Sequence, residues 1–231
     1  MRWFWITLLN FWIVLFNLFW RKRHQPTRDL PRLITAILAH DTESVKQYLE
    51  EGDDPNAKFY TGELAKVLTD AYADSALCLS IKEQFSEATL LLIKHGANVN
   101  YISARGNSAL IEAVLCNQIE TVQFLLDKGA DVNLTYVALD TALQHATCEN
   151  NRDLVELLLS FGADPNKSGL GEGTPLIDAA DGNLLAIAKI LLNAGADLNH
   201  ADEEGHNALW WAKEGKHHAM VRLLREHGAK G

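Results

Sequence analysis

LLIKHGANVN (residues 91–100), LLDKGADVN (125–133), LLSFGADPN (158–166) and LLNAGADLN (191–199) are four copies of one pattern. Their glycines, Gly96, Gly129, Gly162 and Gly195, recur every 33 residues, and one more step reaches Gly228. A second series lies 21 residues before each glycine: SALCLS from Ser75, SALIEA from Ser108, TALQHA from Thr141, TPLIDA from Thr174 and NALWWA from Asn207. Two series locked in phase over five copies are an internal repeat, and a period of this length means a stacked array.

The residues of one copy explain its local structure. Ser75, Ser108, Thr141, Thr174 and Asn207 are side chains that cap a helix by accepting from its first free N–H groups. Pro175 follows such a cap, where a missing N–H costs nothing. Pairs such as Leu110/Ala113 and Leu143/Ala146 give the first helix a narrow apolar stripe. Val122, Leu125 and Leu126, then Val155, Leu158 and Leu159, mark a second helix that ends at its glycine, a residue free to take the left-handed backbone. The Asp/Asn-rich segment after it is turn chemistry. One such unit cannot bury its own apolar face, so neighbours must stack.

These motifs resemble the ankyrin repeat, with its T-P-L-H-x-A opening and G-A-D-V-N ending. Thr174-Pro175-Leu176 and Gly129-Ala130-Asp131-Val132-Asn133 match it most fully. The family's histidine after the leucine is absent; Cys78, Ile111, Gln144, Ile177 and Trp210 stand there, which implies a less stable array. The expected fold is an all-α ankyrin-repeat solenoid of about six repeats over residues 29–231, with boundaries near 29–56, 57–100, 101–133, 134–166, 167–199 and 200–231. The first repeat is diverged, with Leu33 and Ala36 on the inward stripe and Gly52 at its end. Gly52 and Gly96 are 44 apart, so eleven extra residues lie before Ser75, where Leu64, Val67 and Leu68 have helical spacing. In the last copy Arg225 replaces a leucine, as a terminal cap requires.

Residues 3–20, WFWITLLNFWIVLFNLFW, carry no charge and at about 1.5 Å each are long enough to cross a bilayer. Trp3, Trp5 and Trp20 sit at its ends, and no small-residue pair precedes Arg21 for a signal-peptide cut. The reading is one transmembrane helix: an anchor with its basic flank over 1–23, a linker over 24–28, and Asn10 and Asn17 on one helix face. Arg21, Lys22, Arg23, Arg28 and Arg32 follow the span and only Arg2 precedes it, which puts the repeats in the cytoplasm.

The first 28 residues hold five basic side chains and no acidic ones; removing those five from the overall −9 leaves −14 for the rest. Such a body repels phosphate backbones, so no nucleic-acid partner is expected. Cys78, Cys116 and Cys148 fit neither a disulfide framework nor a zinc site. The glycine-rich run 169–173 lacks the strand and Lys-Ser/Thr of a phosphate loop, and His200, His206, His217, His218 and His227 are spread over different parts of one repeat. No cofactor, metal, small-molecule substrate or catalytic residue is expected, and the chain reads as no enzyme. Asn133 and Asn166 each open a glycosylation sequon but are also the closing asparagine of a repeat.

The resemblance implies a protein partner on the hairpin tips and the exposed side of each first helix. Carried to this sequence, the tips give Arg105, Asn107, Val137, Asp140, Leu170, Glu203, Glu204 and His206; the first helices give Leu115, Cys148, Glu149, Asp181 and Glu214, and Trp210, at the family's histidine position, is a further aromatic contact near the groove. This surface is apolar near Leu115 and Val137 and acidic toward the C-terminus, so a partner with a mixed apolar and basic face is expected.

Overall fold

The computed structural model describes residues 30–59, 74–103, 106–135, 140–168 and 173–230. The proposed membrane span, the linker, the 60–73 segment with Leu64, Val67 and Leu68, and the tip residues Arg105, Val137 and Leu170 lie outside the described residues. Among the described residues, no helix is long and apolar enough to cross a membrane.

Twelve helices alternate in length along the described chain. Those opening each repeat have seven residues: α1 (Arg32–Leu38), α3 (Ala76–Lys82), α5 (Ala109–Leu115), α7 (Ala142–Cys148), α9 (Pro175–Asp181) and α11 (Ala208–Glu214). Those closing it have nine: α2 (Thr42–Glu50), α4 (Ser86–Lys94), α6 (Ile119–Asp127), α8 (Arg152–Ser160), α10 (Leu185–Asn193) and α12 (His218–Glu226). Each opening helix touches the next opening helix, and the closing helices form a second row. The opening row is the more tightly packed through most of the stack, because alanines such as Ala113, Ala146, Ala179 and Ala212 let the helices approach. The stack therefore curves with the opening helices on its inner, concave side.

The caps are as the residue types require. Ser75, Ser108, Thr141, Thr174 and Asn207 each accept from the amide three residues on, at 3.0–3.4 Å. Helix α7 has a full capping box, in which Gln144 also accepts from the Thr141 amide. Gln144, one of the residues at the family's histidine position, does more. Its Nε2 donates to the carbonyl of Gly173, 29 residues on, at 2.7 Å. An amide thus braces the turn between two repeats.

Asparagines tie the opposite edge together. Asn100 Nδ2 donates to the Gly129 carbonyl while its Oδ1 accepts from the Asp131 amide. Asn133 makes the same pair with Gly162 and Asp164, and Asn166 with Gly195 and Asp197. Asn56 bridges to Gly96 and Asn98 across the longer spacing. The amides of both sequon asparagines are therefore occupied in the fold.

In the second repeat the hairpin becomes a short antiparallel ribbon, β1 (Lys58–Phe59) against β2 (Asp74–Ser75), which pairs Phe59 with Asp74. The first repeat is closed on itself: Arg32 bonds both oxygens of Asp53, pairs with Glu51 at 2.7 Å and lies over the Tyr48 ring.

Between the two helices of each repeat one residue takes the left-handed backbone: His40, Gln84, Asn117, Asn150, Asn183 and Lys216, with φ of 53–57°. Asparagine tolerates this region, but glutamine and lysine are strained there. Gln84→Gly and Lys216→Gly are each expected to raise stability by about 0.5–1 kcal/mol, while Asn150→Gly changes little. Urea midpoints of the three variants check this.

Candidate functional site

The concave surface is built by the fourth and seventh residues of each opening helix. These positions are one turn apart and share a face. The fourth positions, Glu112, His145, Asp178 and Trp211, are buried or half-buried; at the seventh, Leu115 and Glu214 are exposed and Cys148 and Asp181 half-buried. The row is polar at its base and mixed at its rim.

At the N-terminal end the base is an ion cluster shared between two repeats. Lys82 Nζ lies 3.2 Å from Asp74 Oδ2 and 3.1 Å from Glu112 Oε1, and Asn107 Nδ2 donates to the same Glu112 oxygen at 3.0 Å. Asp74 and Glu112 are only 7% and 5% exposed. Asn107, read from the sequence as a tip contact, is thus half-buried and holds Glu112.

His145 comes next. Burial pushes its protonation below the ordinary histidine range, partly offset by the charges of Asp140, Glu112 and Glu149. The unfolded chain, with an ordinary value of about 6.5, takes up the proton first as pH falls. Stability is therefore expected to decrease as pH drops through and below about 6.5, and His145→Gln should flatten that part of the profile. Urea midpoints between neutral and mildly acid pH measure it.

At the C-terminal end Asp202 organises the hairpin tip. Its Oδ1 accepts from the amides of Glu204 and His206, and its Oδ2 from the Trp211 indole at 2.8 Å. Burial pushes the Asp202 carboxyl up, but these donors outweigh it and hold it below the ordinary carboxylate range. His206 stacks on Trp210 with centroids 3.6 Å apart, and Trp211 meets Trp210 edge-on at 5.0 Å. His206 Nδ1 is 3.4 Å from Glu204 Oε2. Glu203, Glu204 and Glu214 remain exposed.

Leu115 is left 36% exposed at a seventh position, and Trp210 is 37% exposed at the third position of α11, where Cys78, Ile111, Gln144 and Ile177 are buried. Asp140 and Glu149 are described, the first half-buried beside Thr141 and the second exposed at the end of α7. Leu90 and Phe161 are also exposed but belong to the closing row. Two features had no signal in the sequence: Asp74 and Lys82 as parts of the concave base, and the stacking of His206 on Trp210.

Among the described residues no group of three or more His, Cys, Asp and Glu converges as metal ligands. Burial pushes the Cys78 thiol up to about 12 and Cys116 up to about 11, so neither is a thiolate near neutral pH.

Paired antiparallel helices, joined by hairpin edges and stacked at a 33-residue pitch, define a repeat solenoid that presents one continuous surface rather than a pocket. The chain belongs to the ankyrin-repeat family: the family model of ankyrin repeats, in three copies, matches residues 33–136 and 143–231. A protein of Acanthamoeba polyphaga mimivirus described as an ankyrin repeat protein is 34% identical over 92 residues. That match covers 39% of this chain and 16% of the viral protein. Arrays of this family generally serve as protein-interaction modules.

Proposed function

We propose that this chain is a membrane-tethered adaptor that binds a protein partner through the concave ankyrin surface. The observation that carries this reading is the pair Leu115 and Trp210, exposed on the row of opening helices with acidic side chains between and beyond them. Tryptophan set in a structured rim is a frequent centre of binding energy. Glu149, Asp181, Glu203, Glu204 and Glu214 then select a partner whose apolar contact is flanked by basic side chains.

The tether is residues 1–23, with 24–28 as linker and the six repeats following, on the cytoplasmic side as the basic flank requires. The module performs no chemistry of its own and uses no cofactor. A second reading, an accessory subunit of a membrane enzyme or transporter, is favoured by Asn10 and Asn17, which share a helix face that can hydrogen-bond a neighbouring span.

The test compares proteins cross-linked to the full chain with those cross-linked to a Leu115→Ser, Trp210→Ala variant. A partner bound here should lose about 30-fold or more in affinity for the variant. An unchanged set of partners would sink the concave-surface reading. Replacing residues 1–28 by an unrelated membrane span separates the two roles: the adaptor keeps its partner, the accessory subunit loses it. Protease protection of a C-terminal tag in sealed vesicles reports which side the repeats occupy.

A further inference from the structure

The two ends of this stack differ in charge, and the repeat itself shows what each end is shaped to meet. In the closing helices the fourth residue is Val122 in α6, Val155 in α8 and Val221 in α12. The first two are completely buried, whereas Val221 is half-buried. The residue and the position are the same, so the difference is the repeat that follows α6 and α8 and, among the described residues, does not follow α12. Four residues on, Leu126 and Leu159 are replaced by Arg225, which is exposed. Between them a shallow groove of about 460 Å³ is lined by His218, Val221, Arg222, Arg225 and Glu226. It is the seat of a closing helix, and it is basic. Neither Arg222 nor Arg225 forms an ion pair among the described residues.

The opposite end follows the same logic. The third and sixth residues of α12, Met220 and Leu223, are buried against the preceding repeat. In α2 those positions are Ser44 and Gln47, half-buried and exposed, with Glu43, Glu50 and Glu51 exposed around them. Gln47 and Glu51 are bonded to each other at 2.7 Å, and Asp53 adds a further carboxylate to the single guanidinium of Arg32. This end is a polar helix face with a surplus of negative charge.

We propose that the basic C-terminal end of one copy docks on the acidic N-terminal end of a second, in the register of the solenoid. Arg222 and Arg225 then face Glu43, Gln47 and Glu51, where an internal repeat would continue the stack. The two faces differ, so the contact is heterologous and builds open chains of copies rather than a closed dimer. Its ion pairs are exposed and individually weak, so assembly is weak in solution and sensitive to salt. Tethering copies in one membrane would raise their effective concentration.

Sedimentation of the full chain in a non-ionic detergent tests it, at about 50 mM and about 500 mM salt. The expected result is a mean mass that rises with concentration at low salt and returns to one copy per particle at high salt. Arg222→Glu with Arg225→Glu should abolish association, and mixing that variant with a Glu43→Lys, Glu51→Lys variant should restore it. Register is read by oxidative cross-linking in a Cys116→Ser, Cys148→Ser background. Copies with Gln47→Cys and copies with Val221→Cys should form disulfides with each other and not with themselves. A single copy per particle at every concentration and salt overturns the proposal. So does association that survives the arginine reversal, or cross-links between like cysteines.

Discussion

Lys82→Met lowers the stability of the array by about 2–3 kcal/mol, read as a shift of the urea midpoint. Lys82 is the cation between Asp74 and Glu112, two carboxylates from different repeats that are almost fully buried. Methionine fills much of the same volume, so packing is nearly conserved and the loss is electrostatic. It strands two carboxylates in a site that excludes water, where removing one member of a buried ion set costs about 3–5 kcal/mol. The lysine side chain is itself 22% exposed, which places the expected loss below that range. Asp74→Asn and Glu112→Gln added to the methionine variant should recover most of it, because a neutral amide needs no counter-charge. A methionine variant as stable as the parent would show that water reaches the cluster.

Leu158→Ala costs about 2–5 kcal/mol, the usual range for a leucine removed from a closed core. Leu158 lies in α8 with no exposed surface, in the middle of the stack. In a linear array each repeat is supported by its neighbours alone, so the defect divides the molecule. Amide hydrogen exchange should accelerate in α7 and α8 first and remain slow in α1 to α4. Uniform acceleration over all twelve helices would mean that the stack unfolds as one unit. A less severe, two-step urea transition is the matching equilibrium signature.

The repeated elements were legible because each rests on chemistry within a few residues of chain. Ser108 caps α5 three residues away, and Gly129 ends α6 at the next turn; a 33-residue period shows both. The contacts that define the concave base join residues far apart in sequence. Nothing in the sequence marks Asp74 or Glu112 for this role, and only folding brings both to Lys82. Gln144 shows a subtler case. Its departure from the family's histidine is visible as a letter, but its bond to the Gly173 carbonyl depends on the distance between two turns. Position is legible at the tips while commitment is not: Asn107 falls on the expected surface, yet its amide is already used by Glu112. His206 and Trp210 are four residues apart, but one is on a tip and one on a helix, so their stacking follows from the bend that Asp202 fixes.

The asparagine bridges have a mechanical consequence. Asn100, Asn133 and Asn166 each fasten one repeat to the next and to no other, so the junctions lie in series. A force applied between the two ends would load every junction equally, and the weakest would yield first. Each release would free one 33-residue unit and lengthen the chain by on the order of 100 Å. Stretched between a fixed anchor and a moving load, such a molecule would behave as an extensible strap that gives way one notch at a time.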